Sequence, residues 1–172
     1  MNHTQADKII LRAMEPEDLD LLYSIENDRK LWDVSPTNVP YSRYVLHDFI
    51  ANSSGNIYTD CEVRQIIVNG VGETVGIVDI TDFDAKNRRA EVGIVVARKH
   101  RRQGYALNAI QQVIDYALRV LHLHQLYAFI SSNNEAALEL FRKAGFAECS
   151  ELKDWLYDGK KYQSAVLMQI FL

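Results

Sequence analysis

The stretch of this 172-residue chain that carries chemistry runs Glu91-Val-Gly-Ile-Val-Val-Ala-Arg-Lys-His-Arg101-Arg-Gln-Gly104-Tyr-Ala106-Leu107. An apolar run leads into a turn bearing Arg98, Lys99, Arg101 and Arg102, and Gly104 stands where a long helix begins. That arrangement suits an anion. The first N–H groups of a helix lack internal partners and lie at the positive end of its dipole, and a glycine lets a ligand come close to the backbone. Mobile cationic side chains beside such a turn suit a diphosphate. Neither common nucleotide loop is present, since the chain has no G-x-x-x-x-G-K and no G-x-G-x-x-G. Taken alone, the segment also reads as a solvated basic turn that precedes a helix.

Other reactive side chains are less organised. His122 and His124 stand two apart, on one face of a predicted strand, with no cysteine or carboxylate at ligand spacing, so no metal site is expected. Cys61 and Cys149 lack C-x-x-C spacing and read as reduced, partly buried thiols. Trp32 and Trp155 read as packing residues, and Lys160-Lys161 as a solvated turn. The net charge of −4 disfavours nonspecific nucleic-acid binding. Ten acids against five bases precede position 61, a balance of −5, which leaves +1 for the remainder. Glu26, Asp28 and Asp33 belong to this acidic front, which would attract a cationic substrate or simply form a solvated helix face. No apolar run is long enough for a membrane span, and residues 1–7 lack the pattern of a signal peptide, so a cytoplasmic location is expected.

The elements that must position the basic turn follow from periodicity. Lys8–Arg12 reads as a strand, and Glu15-Pro16-Glu17-Asp18 as a helix start continued by Leu19, Leu22, Tyr23 and Glu26. Pro36 and Pro40 mark a loop, Arg43–Ala51 a second helix, and Asn52–Asn56 its end. Strands are expected at Cys61–Val68, Thr74–Thr81 and Arg89–Ala97, with Asn69-Gly70-Val-Gly72 as a hairpin turn. Gly104–Leu121 reads as an amphipathic helix presenting Ala106, Ile110, Val113, Ile114, Ala117, Leu118 and Leu121. His124–Ser131 returns to strand, and Ser132-Asn-Asn-Glu135 has capping-box spacing for a helix packing Ala137, Leu140, Phe141 and Ala144. Gly145 ends that helix as a left-handed cap with Phe146 beside it. Strands at Ala147–Tyr157 and Tyr162–Phe171 are joined through Asp158-Gly159. The length fits one α/β domain over residues 1–172.

Arg101-Arg-Gln-Gly104-Tyr-Ala106 resembles the Q/R-x-x-G-x-G/A acetyl-CoA motif of GNAT acetyltransferases. Asn134-Glu-Ala-Ala137-Leu-Glu-Leu-Phe141-Arg-Lys143-Ala-Gly145-Phe146 is similar to that family's later N-x-x-A-x-x-x-Y/F-x-K-x-G-F segment. The two lie in order with one helix and one strand between them, and the resemblance extends from Ile9 to Phe171. It implies the GNAT fold, an α/β (α+β) arrangement with a mixed, mostly antiparallel sheet of about seven strands and about four flanking helices. It implies acetyl-CoA as co-substrate, without a metal, and cofactor contacts from Ile94, Val95 and Val96, from the turn Arg101, Arg102, Gln103, Gly104, Tyr105, Ala106 and Leu107, and from Asn134, Ala137, Phe141 and Lys143.

The implied reaction is direct attack of a neutral amine on the thioester, with a backbone N–H stabilising the oxyanion. Glu91 is the candidate base, acting through a water, and its alternative is a salt bridge with Arg88 or Arg89. Arg88-Arg-Ala-Glu-Val, Ile114-Asp-Tyr-Ala and Tyr157-Asp-Gly-Lys-Lys-Tyr162 look like the spermidine and ribosomal-protein acetyltransferase branch. Two features depart from it. In spermidine acetyltransferases a tyrosine, thought to protonate the departing thiolate, takes the place of Phe141, so Tyr105 or Tyr127 becomes the candidate acid. The loop from Val34 to Arg43 also lacks the paired glutamates of the polyamine enzymes. The expected acceptor is a polyamine such as spermidine bound by Glu26, Asp28 and Asp33. The alternatives are a ribosomal-protein or peptide N-terminus, or acyl-CoA binding without turnover. The resemblance to this branch also allows self-association into a homo-oligomer.

Overall fold

The computed structural model describes residues 8–32 and 38–172. Its strands are β1 (Ile10–Ala13), β2 (Val63–Val68), β3 (Thr74–Asp84), β4 (Arg89–Val96), β5 (Gln125–Ser131), β6 (Ala147–Tyr157) and β7 (Tyr162–Phe171). Its helices are α1 (Leu19–Glu26), α2 (Arg43–Asn52), α3 (Ile57–Asp60), α4 (Tyr105–Arg119) and α5 (Glu135–Lys143). The strands form one seven-stranded sheet in the order β1-β2-β3-β4-β5-β7-β6. Every neighbouring pair is antiparallel except β4 with β5. The sheet is the mixed, mostly antiparallel one expected. The short α3 is an addition, started by Asn56, whose side chain accepts from the Tyr58 N–H.

Strand alternation sends two apolar sets to opposite faces. One face packs Val78, Ile80, Ala90, Val92, Leu126 and Ala128 against Ala109, Ile110, Val113 and Ala117 of α4 and Leu138 and Phe141 of α5. The other packs Ile66 and Ile77 against Leu22 of α1 and Leu46 and Ile50 of α2. The stripe on α4 is rotated from the expected one: Tyr105 and Ala109 are buried, whereas Leu118 is 44% exposed. On α5 the buried Leu138 joins Phe141.

Local signals set the helix ends. The capping residue of α5 is Asn134, two positions beyond Ser132, and its side chain accepts from the Ala137 N–H. At the other end the Phe146 N–H bonds the Phe141 carbonyl and the Gly145 N–H bonds that of Arg142, with Gly145 at φ +101°. Phe146 then packs edge-on against Phe141, as a left-handed cap requires. Pro16–Asp18 is a 3₁₀ turn that leads into α1. Both cysteines are exposed and so are not the partly buried thiols expected, because Cys61 sits in a left-handed turn and Cys149 on the edge strand β6. His122 and His124 precede β5, so they do not share a strand face. Trp155 is 57% exposed, and its ring stacks on Phe129.

Candidate active site

The site originates in the one parallel pair. β4 and β5 are in register over three positions, Arg89–Gln125, Ala90–Leu126 and Glu91–Tyr127, and then part. Each strand is held away from the other by its outer neighbour. β4 stays on β3 as far as Val96–Gly76, and β5 stays on β7 as far as Ser131–Ala165. Gly76 makes the first of these possible, because a Cβ there would lie 2.3 Å from the Val95 carbonyl oxygen. The inner edges of the fork therefore present backbone N–H and C=O groups that no strand among the described residues covers.

A cavity of about 260 Å³ fills the fork. It is lined by Val92–Val95 of β4, Ala128–Ser131 of β5, and Asn134, Ala137, Leu140 and Phe141 on the α5 side. On the opposite face of the sheet its walls are Ile25, Glu26, Leu31, Arg64, Ile77 and Asp79. The cavity thus passes through the sheet. Gly93, directly opposite Asp79 in the β3–β4 ladder, carries no side chain, and a Cβ there would meet nothing within 4 Å.

The far end is charged. The Arg64 guanidinium grips Asp79 through Nε at 2.7 Å and Nη2 at 3.0 Å, and reaches Glu26 through Nη1 at 2.7 Å. Burial works against the Arg64 charge, but the Asp79 and Glu26 carboxylates more than offset it and hold its pKa above the usual guanidinium value. Glu91 sits at the closed end of the fork. Burial, reinforced by the charge of Asp82, pushes its carboxyl up, against a hydrogen bond that it accepts from the Phe129 N–H.

Beside the open end of β4, a 3₁₀ turn at Arg98–His100 precedes Arg102 and Gly104, both left-handed at φ +60° and +83°. Gly104 is the residue before α4, and no side chain caps the first turn. Space above Gly104 is open to 4 Å. Arg98, Lys99, Arg101 and Arg102 are exposed, and Arg101 is oriented by a 2.9 Å bond from Nε to the Val96 carbonyl.

A forked parallel pair with an uncapped, cationic helix start at its mouth has close counterparts. Residues 8–147 match the acetyltransferase (GNAT) domain family. The chain belongs to the GNAT acetyltransferase family. It is 30% identical over 170 residues to spermidine N(1)-acetyltransferase of Escherichia coli (strain K12), a match covering 96% of this chain and 87% of that protein. The crystal structure of spermidine N-acetyltransferase from Vibrio cholerae in complex with CoA and spermine superposes with a TM-score of 0.86 at 25% identity, covering 95% of each chain. A dodecameric structure of the Vibrio cholerae enzyme gives a TM-score of 0.80 at 26% identity, covering 95% of this chain and 93% of that one. The protein is an N-acetyltransferase with acetyl-CoA as co-substrate.

Of the residues that the sequence nominated for acetyl-CoA, Ile94, Val95, Asn134, Ala137 and Phe141 line the cavity. Val96 lies just beyond it, paired with Gly76. Arg101, Arg102, Gln103, Gly104, Tyr105, Ala106 and Leu107 form the turn and first helical residues next to the fork. Within that group the Tyr105 ring is 5% exposed in the core, so its side chain points away from the ligand face. Lys143 is exposed and paired with Glu139 at 2.7 Å. Tyr127 packs edge-on against Phe129, and burial, with Asp82 and Glu91 nearby, raises its pKa. Neither tyrosine is among the cavity's walls. Glu91 makes no salt bridge with Arg88 or Arg89: Arg89 pairs with Asp84, and the Arg88 Nε bonds the His122 carbonyl.

Of the acidic trio, Glu26 lines the cavity, Asp28 accepts the Lys30 N–H in the turn after α1, and Asp33 lies outside the described residues. Arg64 and Asp79 were missed by the sequence reading. The hairpin turn alone does not encode their pairing: its register, Val68 opposite Thr74, would set Arg64 against Val78, and the one-residue shift between Ile67 and Val68 brings Arg64 opposite Asp79.

Proposed function

We propose that this enzyme transfers acetyl from acetyl-CoA directly to a primary amine of a polyamine such as spermidine. The observation that carries the reading is the cavity that crosses the sheet at the β4–β5 fork, with cofactor-type walls on the α5 side and a net acidic end on the α1 side. Two substrates entering from opposite faces would meet where the strands part. Ile94, Val95 and Val96 would pair with the pantetheine arm as an added strand, and Asn134 would hydrogen-bond it through the amide N–H groups left free by its capping oxygen. The turn from Arg101 to Leu107 would hold the pyrophosphate, chiefly with backbone N–H groups.

Glu91 would serve as base through a water. Burial raises its pKa, toward the neutral range where a base takes up a proton from an ammonium most effectively. An uncovered N–H of β4 would meet the oxyanion, and the thiolate would depart without help from Phe141, which carries no proton to give. Self-association belongs to the same reading. It is supported by the exposed edge strand β6, with Trp155 and Tyr157 on its surface, and by the dodecameric relative.

The test is CoA thiol release from acetyl-CoA in the presence of spermidine, spermine, short diamines or N-terminal peptides. Faster release with the polyamines supports the reading. Release with peptides alone, or with none of the acceptors while acetyl-CoA still raises the melting temperature, rejects polyamine acetylation.

A further inference from the structure

Three charged side chains line the cavity among the described residues: Glu26, Arg64 and Asp79. They are joined. Arg64 uses Nε and Nη2 on both oxygens of Asp79 and Nη1 on Oε1 of Glu26, while its guanidinium stands 5.6 Å from the centre of the Phe49 ring. All three side chains are largely withdrawn from solvent, at 24% exposure for Arg64, 15% for Glu26 and 27% for Asp79. In such a setting charge counts for more than at an open surface, because screening by water and salt is weak.

We propose that Arg64 is a specificity-determining residue of the acceptor end, fixing the number of positive charges that the cavity takes beside the reacting amine. Two carboxylates and one guanidinium leave a net charge of −1, enough to balance one distal ammonium. The group placed to receive it is Glu26. Asp79 is gripped through both oxygens, whereas Glu26 is held through one, and among the described residues nothing bonds its Oε2, which is left for a ligand. Gly93 keeps the space beside Asp79 open for an alkyl chain. The reacting nitrogen arrives as an ammonium and passes its proton to Glu91, so it and the Glu91 carboxylate together add no net charge. A monoamine leaves the negative charge uncompensated. Spermidine fits the same count when its third nitrogen stays at the mouth, in water, where it neither gains nor loses by the cavity charge.

This inference rests on the amine-acceptor reading and is tested so that the two can fail separately. Butylamine, 1,4-diaminobutane and spermidine are titrated calorimetrically into the CoA-loaded protein, and turnover with acetyl-CoA is followed in parallel. In the wild type the diamine binds at least about tenfold tighter than the monoamine, the worth of one charge-assisted hydrogen bond. Glu26→Gln brings the cavity to neutrality, and the diamine-to-monoamine ratio falls to within about threefold by the same reasoning. Arg64→Gln leaves −2, so the diamine-to-monoamine ratio rises above the wild-type value and spermidine gains about tenfold over the diamine. Arg64→Lys keeps the charge and the wild-type order.

Opposite shifts in Glu26→Gln and Arg64→Gln are what a merely structural role cannot produce. If Arg64→Gln does not fold, judged by its melting curve, Glu26→Gln and Arg64→Lys decide the matter alone. A ratio unmoved by Glu26→Gln, or moved in the same direction by both variants, overturns the proposal. Charge-dependent binding without turnover of any amine would remove the acceptor reading and leave the charge rule standing.

Discussion

Replacing Gly104 separates backbone strain from anion repulsion at the proposed pyrophosphate turn. The residue has φ +83°, and a Cβ added there meets nothing within 4 Å. Gly104→Ala therefore incurs the left-handed conformational cost alone, about 1–2 kcal/mol. In a chain of this size that lowers the melting midpoint by roughly 2–8 °C. Gly104→Glu incurs the same strain and also places a carboxylate at the uncapped start of α4, beside exposed Arg101 and Arg102. At a solvent-exposed site the repulsion is about 1–2 kcal/mol for each phosphate charge, so about 2–4 kcal/mol for a diphosphate. The Glu variant should bind acetyl-CoA roughly thirtyfold to a thousandfold more weakly than the Ala variant. Titration calorimetry at low salt measures the difference, and repeating it at about 0.5 M salt should shrink it, because the Debye length then falls well below 10 Å. Affinities of the Glu and Ala variants within threefold of each other at low salt would show that no diphosphate lies at this turn.

Glu91 and Phe141 give three further predictions. Glu91→Gln should lower kcat most near neutral pH and flatten the acid side of the pH–rate profile, with acetyl-CoA affinity little changed; rates equal to wild type throughout would remove Glu91 as base. The same substitution should raise the melting temperature at neutral pH. Burial raises the folded-state pKa of Glu91, so its contribution to stability is full below the unfolded value and lost as pH rises through the folded one. The gap between Gln and wild type should close as pH falls, and melting curves across pH would expose a gap that widens instead. Phe141→Tyr supplies a hydroxyl at a position that is 3% exposed and lines the cavity. It should raise kcat severalfold if thiolate departure limits the rate, while costing about 1–3 kcal/mol in stability where the hydroxyl finds no partner. An unchanged kcat at every pH would show that proton delivery from this position does not matter.

What the sequence determined by itself was local. The glycine before α4, the cap at Gly145 with Phe146, the hairpin turns at Asn69–Gly72 and Asp158-Gly159, and the order of strands and helices depend on contacts within a few residues, which spacing encodes directly. The two motifs were legible for the same reason, each lying across one strand or turn and the helix beside it. Even there the local signal slipped where two residues competed for one task, as Asn134 and Ser132 did for the cap of α5.

The acceptor end was decided by tertiary structure. Arg64 and Asp79, 15 residues apart, meet through the shifted register of the β2–β3 ladder, and Glu26, 38 residues from Arg64, joins them because α1 lies over that ladder. Acidity alone nominated Glu26 and Asp28 equally, yet one faces the cavity and the other closes a turn on Lys30. The fork itself has no sequence signature. It exists because β4 and β5 are each bound more extensively to an outer neighbour than to one another, a balance among four strands that no segment carries alone.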